Sequence, residues 1–359
     1  MRVSRPLVVF GVVVAVAALA LVLFRAPLAM SLMERVATQN MARDAIAELG
    51  DGLHVVLCGA GSPLPDPARA GPCAAIVAGD ALVVVDAGSG AARNIARLGL
   101  PTGRVEAVLL THFHSDHIDG LGELMMQRWI GAGHAEPLPV VAPSGVEQVV
   151  DGFNAAYRAD ASYRTAHHGI GIAPPSGTGG VARPFALPAD GEDPVVYRSG
   201  ELEVRAFRVN HAPIEPAVGY RFDYRGRSIV ISGDTVKSKN VERVAQGADV
   251  LVHEALSPAL LGILTSAAES AGRTSVAKIT RDILDYHTTP VEAAEIARDA
   301  GARHLLFHHI VPPLVAPGAE TAFLEGVDDV YDGPVTVGVD GTRISLPAGS
   351  REIVVAQDL

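Results

Sequence analysis

Apolar positions follow two different patterns along this chain. From Leu7 to Phe24 they run without a break, 18 apolar or glycine residues with Arg2 and Arg5 before them and Arg25 after. A membrane-spanning helix needs about 20 such residues, so the run predicts an uncleaved transmembrane anchor. A cleaved secretory signal is the rival reading, but its apolar part is usually about 7–15 residues long, and Pro27 spoils the small-residue site that follows. Arg2 and Arg5 mark the cytoplasmic side. The remainder is then expected across the membrane, periplasmic or extracellular, and secreted if the segment is removed. Mixed polarity from Ser31 to Leu49 predicts a helical connector. The expected organisation is an anchor or signal at residues 1–30, a connector at 31–52 and one large domain at 53–359.

Beyond the connector the pattern changes to short β-branched runs bounded by Gly, Pro and Asp, which read as strands. Such runs are Leu53–Leu57, Ala74–Ala78, Leu82–Val85, Val105–Leu110, Val204–Asn210, Ser228–Ser232, Ala248–Val252 and Leu305–Phe307. Helices are expected near Ala91–Leu98, His117–Ile130, Ser144–Arg158, Val276–Asp285 and Pro290–Ala300. Strands packed between helical layers predict an α/β chain built as a four-layer αββα sandwich. The Gly/Pro-rich stretch from Gly169 to Gly180 reads as a mobile flap, and Asp151 to Asp193 is expected to shape specificity.

The strand-like run Val105–Leu110 leads directly into Thr111-His112-Phe113-His114-Ser115-Asp116-His117. Imidazoles and carboxylates are the ligands that suit zinc and related divalent metals. On extended backbone alternate side chains share a face, so His112 and His114 point the same way. Asp116 and His117 fall at the turn into a helix and can serve a second ion. Two adjacent half-sites are what a two-metal hydrolase requires.

This segment resembles the H-x-H-x-D-H signature of the metallo-β-lactamase superfamily. The resemblance extends over about residues 53–346, because three further strand-like runs end in His211, in Gly233-Asp234-Thr235 and in His308-His309. It implies a metallo-β-lactamase-type sandwich, here behind an N-terminal transmembrane helix. It also implies two divalent ions, zinc by preference with manganese or iron as options. One ion would take His112, His114 and His211; the other would take Asp116, His117 and His309; Asp234 would bridge. His308 is the alternative to His309. Asp86, in the turn Asp86-Ala87-Gly88-Ser89-Gly90, is expected to orient a ligand histidine from behind.

His253-Glu254-Ala255 resembles an element of the family's transfer-RNA 3′-processing nucleases, which makes His253 the expected acid for the leaving group beside catalytic Asp116. His287-Thr288-Thr289-Pro290 resembles a motif of nuclease-like and arylsulfatase-like members and places His287 near the substrate. Thr288 or Thr289 is expected to cap the following helix.

Composition narrows the function. The net charge of −11 opposes a dominant role in binding phosphate backbones, and only 23 positions separate His211 from Asp234, too few for the RNA-clamping arm of the transfer-RNA nucleases. The expected activity is therefore hydrolysis of a small phosphodiester or sulfate ester, arylsulfatase-like, with nucleic acid disfavoured and a homodimer possible in principle. Alternatives are a transfer-RNA 3′-end endoribonuclease, a lactonase or β-lactamase, and a non-catalytic tethered binding protein. Cys58 and Cys73 are the only cysteines. They flank consecutive strands and could pair in an oxidising compartment, or they are two unrelated small apolar residues.

Overall fold

The computed structural model describes residues 5–359, apart from some side chains before residue 24. The chain divides after Asp44. Before that point lies α1 (Arg5–Ala42), with Pro27 inside it. The expected anchor at Leu7–Phe24 rests in large part on side chains outside the described residues. Among the described residues no helix is long and apolar enough to cross a membrane.

The second unit begins with α2 (Ala45–Leu49) and the strands β1 (Gly52–Gly59), β2 (Cys73–Ala78) and β3 (Ala81–Val85), then α3 (Ala91–Arg97), β4 (Ala107–Leu109), α4 (Ser115–Ile118), α5 (Leu121–Ala132), β5 (Leu138–Pro143), α6 (Val146–His168) and β6 (Gly180–Phe185). A second run follows with β7 (Val195–Ser199), β8 (Leu202–Arg208), β9 (Val218–Tyr224), β10 (Arg227–Ile231), α7 (Lys239–Val244), β11 (Val250–Leu256), α8 (Pro258–Ser270), α9 (Thr274–Asp282), α10 (Pro290–Ala300), β12 (Leu305–Val311), α11 (Ala319–Phe323) and β13 (Val335–Val337). The chain then returns to the first sheet with β14 (Thr342–Pro347) and β15 (Val354–Gln357). One sheet has the order β15-β14-β1-β2-β3-β4-β5-β6 and the other β13-β12-β11-β10-β9-β8-β7.

Strand alternation explains the layering. Leu53, Val55 and Leu57 of β1 pack in one cluster with Val204, Tyr220, Phe222, Ile229 and Ile231 of the opposite sheet. Val56 and Cys58, on the other face of β1, pack with Ile95 of α3 and Leu124 of α5. On the outer side of the second sheet, Leu251 and Phe307 pack with Val241 of α7 and Ile296 of α10. The central strands β1, β2, β3, β10, β11 and β12 are thus buried on both faces, which is why their sequences are largely apolar, while the edge strands β6, β7, β13 and β15 are not.

Three local expectations change. α6 continues to His168, ten residues past Arg158, so Tyr157 and Tyr163 lie on a helix and the irregular stretch begins at Gly169. A helical pair, α8 and α9, replaces the single expected helix at 276–285. β12 runs on through His308 and His309 to Val311. Cys58 and Cys73 are joined as a disulfide that closes a loop of sequence separation 15.

Candidate metal centre

The strand ends carry the chemistry. Asp86 follows β3 with φ 56°, in the left-handed region that non-glycine residues rarely enter. That turn aims its carboxylate at the segment after β4. Thr111 donates to it from both its backbone N and its Oγ1, each at 2.8 Å, and His117 Nδ1 lies 2.8 Å from Asp86 Oδ2. The carboxylate thereby fixes the His117 ring and leaves Nε2 facing inward, as a partner behind a ligand histidine does.

Gly233 precedes Asp234 with φ +62°, and a Cβ there would meet Val218 O at 2.5 Å. Only glycine permits the turn that points Asp234 into the site. At the end of the second sheet, β11 and β12 slip register: His308 pairs with Glu254 but Ile310 pairs with Ala255. The residue left out is His309, at φ 45°. This bulge re-aims His309 to the centre, and His308 stays inside the protein, its pKa pushed down to about 3 by burial.

Three overlapping groups of ligand atoms result, the third being Asp234, His287 and His309. His112, His114, His211 and Asp234 offer atoms within 4.8 Å of one another, and so do Asp116, His117 and His309. Asp234 Oδ2 stands between the first two, 3.9 Å from both His112 Nε2 and His211 Nε2, 3.4 Å from His117 Nε2 and 3.2 Å from His309 Nε2. His309 Nε2 is 3.3 Å from Asp116 Oδ2. Four ligands at 2.0–2.1 Å around a tetrahedral zinc would stand roughly 3.3 Å apart, close to these separations.

The donor atoms also lack other employment. His117 Nε2 and Asp234 Oδ1 are buried without a hydrogen-bond partner, a cost that a bound cation would remove. Burial holds His112 well below the ordinary histidine pKa and lowers His114 and His211, so their nitrogens are neutral and able to bind metal. Burial opposes charge on Asp234, but His309 and His117 outweigh it and hold the carboxyl well below its usual range. Five histidines and two aspartates fit a pair of divalent ions.

His253 is placed differently from its expected role. It is fully buried, and its Nδ1 lies 2.7 Å from the Glu254 carbonyl. A carbonyl accepts, so Nδ1 carries the proton and Nε2 is a bare, unpartnered lone pair. Burial lowers its pKa further. A neutral ring with its proton committed to a carbonyl is no acid for a leaving group.

His287 is the better candidate. Its Nδ1 is 3.2 Å from Glu254 Oε1, and its ring lies beside His309 and His211, centroids 5.5 and 5.4 Å away. Burial opposes its charge, but the Glu254 carboxylate prevails and its pKa is pushed up to about 9. Glu254 Oε1 also accepts from Thr235 N at 3.2 Å and Thr288 N at 3.0 Å. Thr289 caps α10 with Glu292 in a reciprocal box.

Two contributors were not anticipated. Glu254 lay inside a motif read for its histidine, although neighbours on a strand face opposite ways and only one of the two can face a shared site. Tyr286 carries no such signal: its backbone carbonyl lies 2.9 Å from His211 Nδ1, a role open to any side chain.

Residues 82–310 match the Beta-lactamase superfamily domain. A protein named ribonuclease Z from Mycolicibacterium gilvum is 34% identical over 302 residues, 83% of this chain and 97% of that protein. A ribonuclease Z from Mycobacterium avium is 35% identical over 300 residues, 83% of this chain and 100% of its own length. Among solved structures, the metallo-β-lactamase fold protein YhfI of Bacillus subtilis aligns with TM-score 0.59 at 19% identity, over 82% of this chain and 100% of that one. The short form of human tRNase Z aligns with TM-score 0.57 at 21% identity, over 82% and 99%. At those identities the two structures speak for the fold. With sequence relatives at a third identity matched almost end to end, the chain belongs to the metallo-β-lactamase superfamily, with ribonuclease Z proteins among its homologues.

Proposed function

We propose that this metal-dependent hydrolase is an RNA phosphodiesterase that cuts at the 3′ end of transfer-RNA precursors. One observation carries the reading: relatives named ribonuclease Z match 83% of the chain and 97% to 100% of their own length. That weighs against the expected small sulfate or phosphate ester as main substrate, and against setting nucleic acid aside.

The residues support phosphodiester chemistry. When bound, two divalent ions supply an acidified water and neutralise charge on the phosphoryl oxygens. Burial opposes charge on Asp116, but its contact with His309 prevails and lowers its pKa, so this carboxylate would orient the attacking water and take up its proton. It is the more open of the two aspartates, its side chain 13% exposed against 2% for Asp234. Water oxygen forms the new bond to phosphorus, the bond from phosphorus to the leaving ribose oxygen breaks, and His287 hands that oxygen its proton. Glu254 keeps His287 charged beforehand. His112, His114 and His211 would hold one ion and Asp116, His117 and His309 the other, with Asp234 within reach of both groups.

The test is a precursor transfer RNA with a 3′ trailer, incubated with protein loaded with zinc or manganese. A single cut at the trailer junction, abolished by Asp116→Ala, is the expected result. Turnover of chromogenic diesters or sulfates without any RNA cut would overturn it.

A second reading, a small phosphodiester outside the cytosol, has two observations in its favour. β8 returns to β9 within nine residues, and β9 to β10 within two, so no clamping arm arises between His211 and Asp234. The Cys58–Cys73 disulfide suits an oxidising compartment, where precursor transfer RNA is not found.

A further inference from the structure

Beside the metal ligands lies a cleft of about 740 Å³, lined by Arg208, Asn210, His211, Lys239 and Arg243 among others. We propose that this cleft is a phosphate-binding subsite that holds single-stranded RNA backbone a few nucleotides from the bond to be cut. The proposal rests on the RNA reading above and names how an acidic chain without an arm would grip its substrate.

Placement is the first argument. The segments that carry the candidate ligands His211 and Asp234 also carry Arg208 and, at the start of the next helix, Lys239 and Arg243. Arg208 ends β8 three residues before His211, and Lys239 opens α7 five residues after Asp234. Extended chain covers at most about 3.6 Å per residue, so Lys239 lies within roughly 18 Å of Asp234 along the backbone and Arg208 within roughly 11 Å of His211. The two segments are also knitted together. Val236 N donates to Asn210 O at 2.9 Å, Asn210 N to Thr235 Oγ1 at 3.2 Å, and Asn240 Nδ2 to Arg208 O at 2.7 Å. The cleft wall is therefore held in place by the backbone that positions the ligands, and little ordering is left for binding.

Charge is the second argument. The chain has three lysines, Lys237, Lys239 and Lys278, and two of them fall within five residues of the bridging aspartate. Arg208, Lys239 and Arg243 face two acids in the cleft lining, Asp190 and Glu215. The cleft beside Asp116 has the opposite balance, Asp66, Asp116 and Asp119 against Arg69. A third, near α11, has Glu320, Glu325, Asp328 and Asp332 with no cation. Lys239 Nζ pairs with Glu242 at 2.7 Å, Arg243 with Asp193 at 2.7 Å, and Arg208 with Glu215. The Lys239 side chain is 83% exposed and that of Arg208 40%, whereas Arg243 also donates to Asn240 Oδ1 and Glu192 O and is the least available of the three. Exposed pairs of this kind are weak, and a backbone phosphodiester, with one negative charge shared over two non-bridging oxygens, can displace or share them.

The experiment measures binding of a 5′-fluorescent single-stranded RNA by anisotropy at several salt concentrations, with full-length protein. It compares wild type, Arg208→Gln/Lys239→Gln and the remote Lys278→Gln. Two lost phosphate contacts should weaken binding about tenfold at low salt and make the slope of log K against log salt shallower by about 1.4, at about 0.7 per contact. Lys278→Gln should behave as wild type. Unchanged slope in the double variant, an equal loss in Lys278→Gln, or no RNA binding by wild type overturns the subsite. RNA that binds with the expected slope but is never cut keeps the subsite and defeats the nuclease reading, so the two fail separately.

Discussion

Glu254→Gln tests the acid assignment at its source. The substitution keeps an acceptor for Thr235 N and Thr288 N, now 3.2 and 3.0 Å from Glu254 Oε1, so the fold should survive. It removes the charge that holds His287 at about 9. With the ordinary value of 6.5 as an upper limit, the protonated fraction at pH 7 falls from about 99% to about 24%, roughly fourfold. At pH 8.5 it falls from about 76% to about 1%, roughly 75-fold. A ribose alkoxide needs that proton to leave, whereas a nitrophenolate does not. The assay is kcat on an RNA substrate and on an aryl phosphodiester, for both proteins, from pH 6.5 to 9. The defect on RNA should deepen with pH, and the ratio of RNA to aryl turnover should fall with it. A pH-independent loss, or equal losses on both substrates, would refute the argument and return Glu254 to a purely architectural place.

Asp86→Asn should cost about 10- to 100-fold in metal affinity, measured by chelator competition, because His117 loses the carboxylate that orients it at 2.8 Å; activity should return with excess zinc. Breaking the disulfide with Cys58→Ala/Cys73→Ala should lower stability in urea by about 3 kcal/mol, the loop entropy of 15 residues, and identical midpoints would count against it. His304 is held neutral by burial, its pKa pushed down to about 4. Its folded value lies below the unfolded one, so the stability it contributes is full above pH 6.5 and is lost as pH falls from 6.5 toward 4. The upper limit is about 3 kcal/mol, and partial solvent access reduces it to about 1–2 kcal/mol. Urea midpoints at pH 7 and 5 should converge for His304→Gln relative to wild type.

The sandwich and the clustering of the candidate ligands were legible because both are written in local spacing. β1 alternates two apolar faces within eight residues, and four ligands crowd into His112–His117. What was not legible depended on register and on sums. The motif favours His309 over His308 in sequence, but the physical reason appears only in the structure: a bulge and a left-handed φ of 45° turn His309 toward the site. His253 looked like the acid because its motif was read as letters, yet a strand sends His253 and Glu254 to opposite faces, and the charged residue of the pair is the one that reaches His287. The α8–α9 pair hid because α8 reads as one apolar stretch, Pro258–Ser270, half of whose apolar residues stay exposed. Net charge misled in a different way. The −11 of the whole chain is a sum over a surface, and recognition of a phosphate happens over a few ångströms, within a Debye length of about 8–10 Å. A chain can repel nucleic acid at a distance and still grip it at one cleft, at the cost of a slower encounter. The acidic surface is therefore no argument against an RNA substrate once cations stand beside the bridging aspartate; it predicts instead that association speeds up with added salt even as the bound complex weakens.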